Sequence, residues 1–380
     1  MSVPEAAIGE NMECLAIVDG GEAVLVTRGD KTRRIPVRWL RGFCAQPGSA
    51  PFRNGQRVHH SIELPSVVKI RTVTRDQEGD CWRIRFEGET SDVTVDIDQL
   101  MPLKAQERLH GPDPSPFSSA DPTVRGTDYE DLEAPTALRS FLETLFRRGY
   151  ARIRNVPNRP TELSRVARLL GAEGQPAAAD LFEEIAAPGV DPARGASGDE
   201  APHTDQPYRD PLPGYLLQHC MESTGSGGET FVIDGMSAAA TLVAEEPMAA
   251  VELTRWPALF RYVDGNVDRE RAMTILETAA NGSLQRISFN DRALVDFQCP
   301  DDRLTGCVTA YDSLSRILLR EGLQHRFRTQ VGDLLVVNNR RVLHGRNPIG
   351  PGGEIRLACC YLESGDLSST WRRVRSGAID

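Results

Sequence analysis

HTDQPYRDPLPGYLLQHCMESTGSGGETFVIDG, residues 203–235, is the stretch on which the reading of this 380-residue chain turns. It opens with His203, Thr204 and Asp205. In an extended strand, residues i and i+2 project to the same face. An imidazole and a carboxylate can therefore reach one point in space. A second histidine, His344, follows far downstream in the Arg-rich run NNRRVLHGR. Two imidazoles and one carboxylate form the facial set that holds Fe(II) and leaves three coordination positions open. An isolated His-x-Asp is more often an ordinary pair of polar residues, so the assignment depends on the surrounding sequence.

That surrounding sequence is specific. The segments HTDQPYRDPLPG (203–214), LLQHC (216–220), GGETFVIDG (227–235), GDLLVVNNRRVLHGR (332–346) and CCYLE (359–363) occur in order along the chain. Together they resemble the gamma-butyrobetaine hydroxylase and trimethyllysine hydroxylase branch of the Fe(II)/2-oxoglutarate dioxygenases. The resemblance covers most of residues 130–380 and extends more faintly into the first hundred. It implies that His203, Asp205 and His344 ligate iron, with 2-oxoglutarate and O2 as co-substrates. An Asp at position 205 also implies oxygenation, because related halogenases carry Ala or Gly there.

The resemblance further implies a cation and a hydroxyl for the distal carboxylate of 2-oxoglutarate. Thr230 in GGETF matches the hydroxyl. Arginine suits a planar carboxylate through its two-pronged donor geometry. Arg356 lies in the region where the family places this residue. In the family, however, that Arg stands one residue further from the Tyr that matches Tyr361. A one-residue slip turns a strand side chain to the other face. Either a bulge restores the direction of Arg356, or Arg346 or Arg341 takes the role. Candidate substrate contacts are Gln206, Tyr208, Arg209, Asn290, Arg292 and Tyr361. Asn290 matches an Asn that the butyrobetaine enzymes place near their substrate's carboxylate. An Arg at 209 or 292 facing the pocket would call for an anionic group.

The family carries Tyr and Trp before its His-x-Asp, as part of a cation–π cage for a trimethylammonium group. Between Ala172 and Pro202 this chain has Ala, Gly and acidic residues, with Phe182 as its one aromatic. The expected substrate is accordingly a small polar molecule, acidic or amino-acid-like, hydroxylated at a C–H bond. The competing idea is that Glu183, Glu184 and the acidic loop bind a cation by charge, as in gamma-butyrobetaine-type hydroxylation. The same triad also suits desaturation, epimerisation or cyclisation. A non-catalytic binding module on the same fold is the reading from a different class.

Composition sets outer limits. Hydrophobic residues at 40% and charged residues at 26% are ordinary for a globular chain. The net charge of −10 argues against nucleic acid or an anionic membrane as partner. No run approaches the ~18–20 apolar residues of a spanning helix. The first residues lack a basic segment ahead of an apolar one. Eight scattered cysteines do not resemble a disulfide framework. A cytoplasmic protein with a small-molecule substrate fits these features.

Residues 12–104 read as short strands separated by turn signals such as DGG, RGD and EGD. A small all-β domain over 1–105 is expected, suited to packing or to homodimer contacts. RIPVRWLRGFC (34–44) resembles the entry to the N-terminal zinc module of the butyrobetaine hydroxylases. No close-spaced Cys follows Cys44, and a set of Cys44, His59, His60 and Cys81 has no familiar zinc spacing, so no structural zinc is expected. Residues 106–130 are rich in Pro, Ser and Asp and read as a linker. The catalytic domain is expected over 131–380. Its fold class is mainly β with flanking helices, a double-stranded β-helix of the jelly-roll type.

Overall fold

The computed structural model describes residues 13–42, 44, 52–53, 56–57, 64–75, 81–95, 100, 111–122, 125–172, 181–188 and 200–377. The chain divides into two compact units, Met1–Ala105 and Gln106–Asp380. Among the described residues, no helix is long and apolar enough to cross a membrane.

The first unit contains two antiparallel three-stranded sheets. Strands Glu13–Val18, Ala23–Arg28 and Lys31–Pro36 form one; Ile70–Arg75, Trp82–Phe86 and Val93–Val95 form the other. Alternate residues of both, including Leu15, Val24, Val26, Ile35, Ile84 and Phe86, share one buried cluster. Pro36 ends the third strand, and Val37–Arg41 coils into a short helix. A proline cannot donate to the ladder, which explains the stop at that point. Cys44 is buried, its Sγ–H donates to the Leu40 carbonyl, and burial pushes the thiol up to about 12. This is a neutral packed thiol, while His59 and His60 lie outside the described residues.

The second unit is built around two larger sheets, with a three-stranded and a two-stranded sheet beside them within residues 257–297. The strands of the two larger sheets are β1 (Thr127–Asp128), β2 (Tyr150–Arg154), β3 (Phe182–Ala186), β4 (Glu200–His203), β5 (Tyr215–Ser223) and β6 (Thr230–Asp234). They continue with β7 (His325–Phe327), β8 (Leu334–Asn338), β9 (Val342–Arg346) and β10 (Ile355–Leu362). The larger sheet has the order β3-β10-β5-β8-β2-β1 and the smaller β4-β9-β6-β7. All pairings are antiparallel except that of β1 with β2.

Alternation along these strands decides what faces what. Leu216, Leu335, Val337, Val232, Val342, Leu357 and Cys359 point into a buried cluster shared by both sheets. Their neighbours Leu217, Leu334, Val336, Cys360 and Leu362 point outward, under the helices Pro135–Arg148, Pro160–Leu169 and Ser364–Arg375. LLVV at 334–337 therefore reads as a continuous apolar run because both faces of β8 are covered. On the smaller sheet, Phe231, Ile233 and Leu343 pack outward against Gly235–Glu245 and Asp301–Leu318.

Residues 106–130, expected to be a linker, are grouped with the second unit. Phe117 is 3% exposed. Its N–H donates to Asp234 at 3.0 Å, and the Ser115 N–H donates to the Arg147 carbonyl at 2.7 Å. The Ala/Gly-rich stretch at 172–202, read as a loop, contains the edge strand β3. Its residues 173–180 and 189–199 lie outside the described set.

Candidate metal centre

β4 and β9 bring the two histidines together. His203 pairs directly with His344 across the ladder, and their ring centroids are 4.5 Å apart. Thr204 is buried and anchored away from them: its N–H donates to the Phe289 carbonyl at 2.7 Å, and its Oγ accepts from the Phe289 N–H at 3.0 Å. That leaves His203 and Asp205 on the other side of the chain. Asn339 fixes the Asp205 main chain, accepting from its N–H at 2.7 Å and donating to its carbonyl at 3.0 Å. Gly345, between His344 and Arg346, permits the close packing here. A Cβ at that position would lie 2.3 Å from the Phe231 ring and 2.5 Å from the Glu200 carbonyl oxygen.

The triad fits a divalent metal. One ligand atom from each of His203, Asp205 and His344 lies within 4.8 Å of the others, and they are the sole such group among the described residues. Asp205 Oδ1 is 3.2 Å from His203 Nε2 and 3.6 Å from His344 Nε2. His203 Nδ1 donates to the Ala201 carbonyl at 2.9 Å, which turns Nε2 toward the site. His344 is 4% exposed, and its Nδ1 has no partner.

Electrostatics fit the same reading. Burial alone would raise Asp205, but the charges of His344 and His203 and the Tyr361 hydroxyl hold it at about 2. Burial opposes the charged form of His203, yet the hydrogen bond and charge of Asp205 raise it to about 9. Burial pulls His344 down to about 4. Without metal, a proton on His203 supplies the positive charge that the buried carboxylate requires.

Two residues beyond His344 on the same strand, Arg346 projects into the same interior. Its side chain is 4% exposed, and its Nη1 has no partner. Nη2 lies 3.7 Å from Glu184 and 3.5 Å from Glu200. Thr230 pairs with Arg346 across the β6–β9 ladder, and its hydroxyl is 2.8 Å from that of Thr329.

Arg356 is differently placed. β10 runs against β3 without a bulge, so Ile355, Leu357, Cys359 and Tyr361 take the inner face and Arg356 the outer. Arg356 is 40% exposed and donates to Glu354 at 3.1 Å. One residue of offset thus turns Arg356 to the strand face opposite Tyr361. Arg341 is also committed elsewhere. It grips Asp234 through two hydrogen bonds of 3.0 and 2.8 Å and caps the carbonyls of Ser115 and Arg147.

The remaining candidates divide. Tyr361 reaches the centre, its hydroxyl donating to Asp205 Oδ2 at 3.1 Å. Arg209 lies over the Tyr361 ring at 5.8 Å and donates to Gln206 at 3.2 Å. Tyr208 instead stacks on Tyr262 with centroids 5.1 Å apart. Asn290 is used locally, donating to the Thr204 carbonyl at 3.1 Å and accepting from the Ala293 N–H at 3.2 Å. Arg292 is exposed in the turn that follows. Glu200, Thr329 and Asn339 were not singled out from the sequence, and Glu184 entered only as part of an acidic loop that could bind a cation. In the structure Phe182, Glu184 and Ala186 alternate with more exposed neighbours on β3.

The model of the taurine catabolism dioxygenase TauD, TfdA family matches residues 112–361. The chain belongs to that family. A gamma-butyrobetaine dioxygenase from Pseudomonas sp. (strain AK-1) is 25% identical over 222 residues, 58% of each chain. A mitochondrial trimethyllysine dioxygenase from Bos taurus is 24% identical over 352 residues, covering 88% of this chain and 81% of the relative. Among solved structures, the PvcB protein from Pseudomonas aeruginosa has 17% identity and a TM-score of 0.46, over 64% of this chain and 86% of that one. By class the protein is an Fe(II)/2-oxoglutarate-dependent dioxygenase, with a His-Asp-His set that fits the iron.

Proposed function

We propose that this protein hydroxylates a C–H bond of a small, amino-acid-like molecule, in a double-stranded β-helix whose interior holds iron and 2-oxoglutarate side by side. His203, Asp205 and His344 would hold Fe(II). Arg346, with Thr230 and Thr329, would receive the distal carboxylate of 2-oxoglutarate. Iron bound there supplies the oxidising power, O2 being activated as 2-oxoglutarate is converted to succinate and CO2.

The observation that carries this reading is the buried Nη1 of Arg346, without a partner and two residues from His344 on one strand face. A buried guanidinium donor left unmatched is costly, and a carboxylate answers it. Burial, then the negative charges of Glu200 and Asp205, raise Glu184 to about 8. Glu184 is therefore uncharged at neutral pH, and Glu200 alone does not exhaust the donors of Arg346.

For the substrate, Arg209 beside Tyr361 suits an acidic group. A gamma-butyrobetaine-type substrate is favoured by a different observation: Phe182 stacks on Tyr361 with centroids 5.2 Å apart, and Glu184 shares the inner face of β3. An assay of succinate release and O2 uptake over amino acids, aminophosphonates, gamma-butyrobetaine and trimethyllysine decides. One-to-one coupling with an amino acid or other acid supports the first reading, and efficient turnover of gamma-butyrobetaine the second. Fe(II) binding with no succinate under any condition would point to a binding module.

A further inference from the structure

We propose that Tyr361 is a positioning residue of the metal centre: its hydroxyl holds one oxygen of Asp205 so that the carboxylate presents only the other to the metal. This rests on the metal-centre reading above. The two oxygens of Asp205 are divided between different neighbours. Oδ1 faces both imidazoles, at 3.2 Å from His203 Nε2 and 3.6 Å from His344 Nε2. Oδ2 accepts from the Tyr361 hydroxyl at 3.1 Å. A carboxylate free to rotate about its last bond can chelate through both oxygens and occupy an additional coordination position. A facial set works by leaving positions open, so a group that prevents chelation bears directly on co-substrate binding.

Tyr361 is built to stay in place. It lies on β10, second in the larger sheet, and pairs with Leu216 of β5. Its ring stacks on Phe182 at 5.2 Å, and the Arg209 guanidinium lies 5.8 Å from its centroid. Burial and the neighbouring negative charges hold its ionisation well above the usual phenol range, so the hydroxyl remains a donor. The Asp205 main chain is fixed separately by Asn339 through bonds of 2.7 and 3.0 Å. Removing the hydroxyl therefore frees the carboxylate to turn without releasing the residue from the site.

The test compares Tyr361→Phe with Phe182→Leu, which loosens the ring but keeps the hydroxyl. Co(II) is the probe metal, added anaerobically, and its visible ligand-field spectrum and the affinity of the Co(II)-loaded protein for 2-oxoglutarate are the readouts. Tyr361→Phe is expected to remain folded, with a somewhat lower melting temperature because a buried carboxylate oxygen loses its donor. It is expected to change the Co(II) spectrum and to weaken 2-oxoglutarate binding about 10-fold or more, on the scale by which metal affinity or activity falls when a partner of a metal ligand is lost. Phe182→Leu is expected to leave the Co(II) spectrum as in wild type. A Tyr361→Phe protein with wild-type spectrum and affinity overturns the proposal, and so does an equal spectral change in Phe182→Leu. Failure of wild-type protein to bind Co(II) or Fe(II) is a distinct outcome that removes the metal-centre reading itself.

Discussion

His344 and Arg346 project from one face of a single strand, so the proposed metal ligand and the proposed anchor of the co-substrate are set by the same backbone. Opposite them on the flanking strands stand His203 and Val232, and Glu200 and Thr230. Displacement of this strand should affect metal and 2-oxoglutarate together.

Gly345 tests that coupling. Its alanine variant places a methyl group 2.3 Å from the Phe231 ring and 2.5 Å from a backbone oxygen of β4. Overpacking of this kind costs about 1–3 kcal/mol. Gly345→Ala should lower stability by that amount in chemical denaturation and weaken Fe(II) binding. Trimming Phe231 to Leu in addition should rescue only part of the loss, because the backbone oxygen remains in the way. Unchanged stability would show that the strands part more easily than the packing indicates.

Metal binding should release a proton. In the metal-free protein His203 titrates at about 9, so at pH 7 it is protonated. Iron requires the neutral imidazole. Calorimetric titration at pH 7 in two buffers of different ionisation enthalpy should report about one proton released per metal, with affinity falling as pH is lowered. Identical heats in both buffers would contradict this.

Glu184 should make the metal-free protein less stable as pH rises. Its folded value, raised by burial to about 8, lies above the ordinary 4.5. Below pH 4.5 both states carry the proton and there is no effect. Between 4.5 and 8 the unfolded chain has lost a proton that the folded one keeps, so stability falls across that window. Glu184→Gln should therefore melt increasingly above wild type between pH 5 and pH 8, measured in EDTA. A difference that is constant with pH would refute the assignment.

Asp234 and Arg341 form a buried pair with 0% and 8% of their side chains exposed. Arg341→Met leaves the carboxylate without its cation, although the N–H groups of Phe117 and Met236 still donate to it. Removing one partner of such a pair costs about 3–5 kcal/mol. Urea denaturation should show a loss of that size, and a loss under about 1 kcal/mol would mean that the N–H donors suffice.

The legibility of this molecule follows strand parity. His203 and Asp205 were readable because a period of two puts both on one face, and His344 because its Gly and Arg neighbours are distinctive. The same parity raised a doubt over Arg356 but left it open, because a bulge could restore its direction. Weighing it against Arg346 and Arg341 required the pairing of β10 with β3 and the pair of Asp234 with Arg341. The start of the helix Asp301–Leu318 is hard to read because β-branched Thr305, Val308 and Thr309 follow Pro300. Glu200 was hidden because a largely enclosed Glu is rare without a paired cation. That cation is Arg346, more than a hundred residues away in sequence.

The most direct test of the central claim is 2-oxoglutarate binding to Fe(II)-loaded protein under anaerobic conditions, comparing Arg346→Lys with Arg356→Lys. Lysine retains the charge opposite Glu200 but loses the two-pronged geometry. Removing a charge-assisted hydrogen bond worth about 1.5–3 kcal/mol weakens binding roughly ten- to hundredfold. The structure predicts that loss for Arg346→Lys and near-wild-type binding for Arg356→Lys. Normal binding by Arg346→Lys together with a loss in Arg356→Lys would contradict it.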